Sequence, residues 1–265
     1  MPTINDICQF LDEFAPTQLA EDWDNVGLLV GDRASAVEKI MTCLTVTPGS
    51  AAEAIDRGVG LIVSHHPVLF RATKRITTDT TSSRLLWDLI RAGISIYSPH
   101  TGFDSAAEGI NQSLREKIGL ENIEPLVPTV DPDAPIGLGA GRTGQTESPV
   151  SFADFVANVK KQFGLPGVHV VGDMQKQISK VASACGSGGS FLDKAVKKSC
   201  DCFVTGEATF HTCLEAESQG INLLLLGHYS SERFAVEMLA EKIQQCFSDL
   251  DVWASEKESD PLAWV

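Results

Sequence analysis

The chain has no apolar run approaching the roughly 18 residues that a membrane helix needs. Its start, "MPTINDICQFLDEF", lacks the basic-then-apolar design of a secretory signal, so a cytoplasmic location is expected. C-x-x-C pairs are missing as well. The seven cysteines are an odd number, and Cys43, Cys185 and Cys202 sit in apolar strand-like runs, where a free thiol packs as a small hydrophobe. Neither a disulfide framework nor a zinc finger is expected. Positive charge is scarce: 21 lysines and arginines face 35 acidic residues, a net charge of −14 that repels phosphate backbones and argues against nonspecific nucleic-acid or anionic-lipid binding. Small anionic substrates stay open, because a metal site can reverse the field inside a cleft.

Against these absences stand 43% hydrophobic residues over 265 positions, enough for one large or two modest domains. Helix-like stretches alternate with short β-rich runs, which predicts an α/β fold with helices covering buried sheet. "INDICQFLDEFAP" reads as a helix stopped at Pro16, "NVGLLVGD" and "KIMTCLTV" as strands, and "GSAAEAIDRG" as a helix leading into "GLIVSHHP". "SSRLLWDLIRAG" then leads into "ISIYSPHTGFD", and "NQSLREKIGL" is helical again. Residues 124–150 are rich in Pro, Gly, Asp and Thr and mark the expected boundary between a first unit, 1–125, and a second, 126–265.

The pattern recurs past that boundary. At a constant shift of 141 residues, "KIMTCLTVTPGSAAEAIDRGVGLIVSHH" lies over "KVASACGSGGSFLDKAVKKSCDCFVTGE", strand on strand, turn on turn and helix on helix. His65-His66 then lies over Gly206-Glu207, and "RAGISIYSPH" resembles "SQGINLLLLGH". Few positions are identical, so this is either a true repeat or the generic likeness of two strand-turn-helix-strand units.

In open α/β sheets ligands gather beyond the carboxyl ends of strands. Three segments meet that description. Adjacent residues in a strand point to opposite faces, so His65 and His66 can share a centre only if the strand ends there, as Pro67 requires. One solvent-facing and one core histidine is the bland alternative. "SPHTGFD" brings His100 and Asp104 to the end of "ISIY", as ligands or as a His-Asp acid-base pair, although Asp104 also suits the cap of the next helix. "LLLLGHYSSE" places His228 and Glu232 four apart on one helix face, a chelating spacing that also suits a helix start with a dipole-complementing acid.

Together the three segments converge. Four of the six histidines, with an Asp and a Glu, fall at the ends of three apolar strands. A nitrogen and oxygen set of His65, His66, Asp104, His228 and Glu232 is too large for one tetrahedral zinc and suits two ions, as in hydrolases where paired metals lower the pKa of a bridging water. Such donors suit zinc, iron or manganese. Glu207 or His211 of "TGEATFH" could orient a ligand or shuttle protons, or simply belong to a capped helix. "CGSGGSF" could offer amides to an anion but is neither a Walker loop nor a dinucleotide fingerprint. Ser187 or Ser190 as a nucleophile lacks the G-x-S-x-G context.

"DWDNVGLLVGD", "SHHPVLF", "SPHTGFDSAAEGIN", "GSGGSF", "TGEATFH" and "GHYSSER" occur in this order. They resemble the Ngg-interacting-factor-three-like proteins, often labelled GTP cyclohydrolase I type 2 homologues, over about Asp22 to Arg233. The resemblance implies two similar three-layer α/β units with mixed sheets, a dinuclear metal cleft between them, and a toroidal homohexamer. It implies His65, His66, Asp104, His228 and Glu232 as ligands of two divalent ions, with a further histidine matching His100, and the short form of the family without an inserted domain. Thr45 stands where many relatives have Asp. The expected activity is metal-dependent hydrolysis of a nucleotide or phosphoester-like small molecule, with His100 or Glu207 moving protons. A metal-containing binding, chaperone-like or storage protein is the alternative.

Overall fold

The computed structural model of the chain describes residues 1–129, 135 and 137–265. Along the chain run α1 (Ile4–Phe14), β1 (Gly27–Val30), β2 (Lys39–Cys43), α2 (Pro48–Arg57), β3 (Leu61–Ser64), α3 (Thr81–Arg91), β4 (Ser95–Ser98), α4 (His100–Ser105) and α5 (Ile110–Ile118). Then come β5 (Glu121–Pro128), β6 (Gly139–Ser151), α6 (Phe152–Phe163), β7 (His169–Val171), β8 (Gln177–Ala184) and α7 (Leu192–Lys197). The order closes with β9 (Cys202–Thr205), α8 (Phe210–Gln219), β10 (Asn222–Leu225), α9 (His228–Cys246) and β11 (Asp251–Ala254).

The chain forms two compact units that interleave in sequence: Met1–Phe103 with Arg233–Ser259, and Asp104–Glu232 with Asp260–Val265. This differs from a single cut near residue 125. Asp104 falls in the unit of His228 and Glu232, while His65 and His66 fall in the other. The reason is pairing. β11 lies parallel to β2, and Thr42 Oγ1, on β2, donates to the Val236 carbonyl of α9, so the segment after Glu232 completes the first unit.

The first unit is built on a mixed sheet of order β1-β4-β3-β2-β11, with β1 antiparallel at one edge. Alternation sorts its faces: Met41, Cys43, Ile62 and Ile96 pack with Ala51 and Ala54 of α2 and Leu86 and Leu89 of α3. Thr42, pointing the other way, meets α9.

The second unit is built on a mixed sheet of order β5-β6-β8-β9-β10-β7. Ala182, Ala184, Phe203 and Leu223 pack with Leu192 and Ala195 of α7 and Ala216 of α8. α5 and α6 take the opposite layer against β6 and β8. The Pro- and Gly-rich stretch read as a boundary contains the β5 and β6 strands, apart from 130–134 and 136, which lie outside the described residues. Pro125 and Pro128 are accommodated because β5 is an edge strand, where a missing donor costs nothing. Two arginines are fully buried in this unit. Arg142 donates to the carbonyls of Gly139, Gly141 and Ala106, and Arg115 to those of Arg142 and Val181, fastening α5 to the hairpin.

The 141-residue repeat is real at the level of register. Ile40 opposes Leu61 and Thr42 opposes Val63 in the first unit; Val181 opposes Cys202 and Ser183 opposes Val204 in the second. Each unit adds an antiparallel edge strand next to its third parallel strand, β1 on β4 and β7 on β10. His66 and Glu207 therefore occupy matching places at the ends of β3 and β9.

Candidate metal centre

In the first unit the sheet hydrogen bonding runs on past β3. The His65 and His66 amides donate to the carbonyls of Cys43 and Leu44 at 2.9 and 2.8 Å, and Pro67, with no N–H, ends the ladder. Hydroxyls then secure the two peptides: Ser98 Oγ donates to the His65 carbonyl and Ser64 Oγ to the His66 carbonyl, both at 2.7 Å. The imidazoles end with ring centroids 5.0 Å apart, and His100 stands 5.2 Å from one and 5.6 Å from the other. One ring nitrogen from each of the three lies within 4.8 Å of the others, a spacing that one ion could bridge.

The outer two rings are each held by their Nδ1. His66 Nδ1 is 2.7 Å from Thr45 Oγ1, and His100 Nδ1 is 2.7 Å from Asp24 Oδ1. A hydrogen bond at Nδ1 fixes the tautomer and leaves Nε2 as the atom turned away from that contact, an arrangement that suits a metal ligand or a proton carrier. Thr45, where relatives of the resembled family often carry Asp, thus keeps the orienting contact with a neutral hydroxyl. Its own amide donates to Glu258 Oε1 at 2.6 Å, so a carboxylate is already present beside it.

Asp24 has no exposed side-chain surface. Burial by itself would raise its carboxyl, but hydrogen bonds from His100 and Thr101 and the nearby imidazole charge outweigh that and bring it down to about 2. His100 also sits at φ 30°, in the left-handed region that glycine adopts freely and other residues adopt at a cost. The Asp24 clamp and the turn into α4 hold it there.

In the second unit His228 opens α9 and meets Glu232 one turn later, Nε2 to Oε2 at 3.0 Å. Its Nδ1 lies 3.0 Å from Glu207 Oε1, which also accepts a hydrogen bond from Ser187 Oγ. The hydrogen bond to Glu232 raises His228, burial opposes it, and the charges of Glu232 and Glu207 add to the rise, giving a pKa of about 9. That elevation measures a negative potential that a cation could satisfy in place of the proton.

Gly186, at φ 55°, makes room for these ligands. A Cβ there would stand 2.1 Å from Glu232 Oε1 and 3.2 Å from His228 Nε2. Two amides of the "CGSGGSF" loop are engaged within the protein: that of Gly186 donates to Ser231 Oγ and that of Gly188 to Thr205 Oγ1, so neither is aimed at an anion.

Asp104 does not cap the following helix, whose N-cap is Gly109; it lies inside α4. Cys185 Sγ is 3.2 Å from Asp104 Oδ1, Asn111 Nδ2 donates to the Asp104 carbonyl, and Asn111 Oδ1 accepts the Cys185 amide. Cys185 was expected as a packing hydrophobe; it is buried, and burial together with Asp104 and Glu232 holds its thiol protonated, able to donate. His211, by contrast, is exposed on α8 and joins neither cluster, while Ser187 is engaged with Glu207.

The donor set fits hard or borderline divalent ions: imidazoles pre-set by Nδ1 contacts, a Glu232 carboxylate with only a glycine in front of it, and an acidic environment around His228. Asp24 and Asn111 are supporting residues that the sequence did not single out, and Thr45, Cys185 and Ser187 were noticed there for other reasons than the contacts they make.

The chain is 34% identical to the GTP cyclohydrolase 1 type 2 homolog of Clostridium perfringens, covering 99% of each chain. It is 34% identical to the protein NIF3 homolog of Schizosaccharomyces pombe over 92% of each. The crystal structure of a Staphylococcus aureus hypothetical protein superposes with a TM-score of 0.92 over 100% of both chains at 29% identity. The model of the Duf34/NIF3 (NGG1p interacting factor 3) family matches residues 2–261, and the chain belongs to that family.

Proposed function

We propose that this protein is a dinuclear metal-dependent hydrolase acting on a nucleotide or phosphoester-like small molecule. His65, His66, Asp104, His228 and Glu232 would hold two divalent ions of zinc, iron or manganese. The observation that carries the reading is the paired support of the histidines: His66 and His228 each have Nδ1 on an oxygen, Thr45 Oγ1 and Glu207 Oε1. Ordinary surface histidines need no such fixing. The name GTP cyclohydrolase 1 type 2 homolog carried by relatives supports a nucleotide as substrate.

Held by these residues, two such ions would supply Lewis acidity and a water acidified to near neutral pH. The chain's own residues do the rest. Asp24 keeps His100 in one orientation, with its Nε2 free of that contact and placed to take or return a proton. Glu207 accepts from both Ser187 and His228, so its part is to orient His228 more than to carry protons. Cys185 and Asn111 fix the Asp104 carboxylate and peptide.

A cytoplasmic homohexamer belongs to the same reading. No helix among the described residues is long and apolar enough to cross a membrane. Replacing His228 and Glu232 together should abolish bound metal and turnover with the fold intact. Turnover that survives metal loss overturns the hydrolase, and metal-loaded protein inert against a broad panel of phosphoesters and nucleotides favours a binding or storage role. Light scattering reads the hexamer.

A further inference from the structure

After α9 and β11 the chain returns to the second unit, and Asp260, Leu262, Ala263 and Trp264 line one side of a cavity of about 380 Å³. The opposite wall is the end of β9 and β10, with Glu207 and His228. This wall is packed deliberately. The Trp264 ring lies on Gly167, where a Cβ would come within 2.7 Å of it, and beside the His169 imidazole with centroids 6.2 Å apart. Asp260 Oδ1 accepts the Leu262 amide at 2.9 Å, turning the chain so that Leu262 and Trp264 both line the space. Trp264 still keeps about half its surface, 54%, exposed.

The lining is apolar and net acidic. Leu225, Leu262 and Trp264 give apolar surface, Glu207 and Asp260 give carboxylates, and His169 and His228 add imidazoles, with His228 already paired to Glu207; among the described residues no lysine or arginine lines it. Such a cavity repels phosphate and accepts a flat ring carrying N–H donors, which the carboxylates can receive while the indole stacks.

We propose that this cavity is a binding subsite for the neutral, nitrogen-bearing planar ring of the substrate, stacked on Trp264, from which phosphate is excluded. This rests on the metal-centre reading only in taking His228 as the shared wall, which sets the ring beside the reacting group.

The test is a calorimetric titration of the full chain with guanosine, which is neutral and carries ring and amino N–H donors, before and after chelator treatment. Wild type should bind guanosine in both states. Trp264→Ala should weaken it about tenfold or more, with Trp264→Phe restoring most of the loss. Gly167→Leu, which displaces the ring without removing it, should weaken it too. Saturating inorganic phosphate should leave the guanosine affinity of wild type unchanged. Metal content and melting temperature of Trp264→Ala should match wild type. The proposal is overturned if wild type fails to bind guanosine, if Trp264→Ala binds it equally well, or if phosphate displaces it. Guanosine binding in a protein that takes up no metal would instead sink the metal-centre reading and leave this one standing.

Discussion

Thr45 Oγ1 lies 2.7 Å from His66 Nδ1, a neutral hydroxyl in the place from which a carboxylate would pull a proton more strongly. Because second contacts of this kind set ligand orientation and basicity, Thr45→Val should lower metal affinity about 10–100-fold. Thr45→Ser should retain it. Competition titration against a chromophoric chelator measures both, and equal affinities for Val and wild type would remove Thr45 from the centre.

Asp24 is expected to matter through His100. Asp24→Ala leaves the His100 Nδ1, the Thr101 hydroxyl and the Thr101 amide without their acceptor in a site closed to solvent. The cost should be about 2–3 kcal/mol in denaturant unfolding of the metal-free protein. His100 meanwhile loses the clamp that holds it in its left-handed backbone conformation. A double variant, Asp24→Ala with His100→Gly, should recover part of that stability, since glycine adopts the same φ without penalty.

Gly186→Ala tests the clearance in front of Glu232. The added methyl would overlap Glu232 Oε1 at 2.1 Å and sit on a positive φ. Its expected effect is loss of metal uptake, together with a stability loss of about 1 kcal/mol from the backbone. Metal uptake unchanged from wild type would mean that Glu232 can ligate from another position.

Glu53 supplies a pH dependence of its own, apart from the candidate metal residues. Its carboxylate accepts hydrogen bonds from Ser255 Oγ, Trp253 Nε1 and the amides of Glu256 and Lys257, stapling β11 and the segment after it to α2. Burial raises its pKa, but the hydrogen bonds from Ser255, Glu256 and Trp253 prevail and lower it from 4.5. A depressed carboxyl contributes stability that is fully present above its unfolded value and fades as pH falls through the folded one. Glu53→Gln should therefore destabilise the protein at pH 7, and the gap to wild type should narrow below about pH 4. A gap that stays constant from pH 7 to pH 3 would contradict the carboxylate's role.

Much of this was legible beforehand for a physical reason. Polar residues at strand ends interrupt an apolar period, so His65, His66, His100 and His228 stand out against "GLIV", "ISIY" and "LLLL". The 141-residue shift was visible because register in a parallel pair repeats residue for residue. The contacts of Thr45, Asn111 and Cys185 were hidden, since they are long in sequence and these residue types are common in any turn or core. The β5–β6 hairpin was hidden differently: its prolines and glycines look like a linker until the edge position of β5 is known. The interleaving of the units was invisible for the same reason as the supporting residues, because β11 finds β2 some 200 residues away.

Elemental analysis of protein purified without added metal bears most directly on the central claim, run on wild type beside His66→Ala, Asp104→Ala and Glu232→Ala. The prediction is about two zinc, iron or manganese ions per wild-type chain and a marked loss in every variant, with folds preserved by circular dichroism. Wild type that binds no such ion even when supplied with it, or variants that keep the full complement, would contradict the assignment of these residues to a two-metal centre.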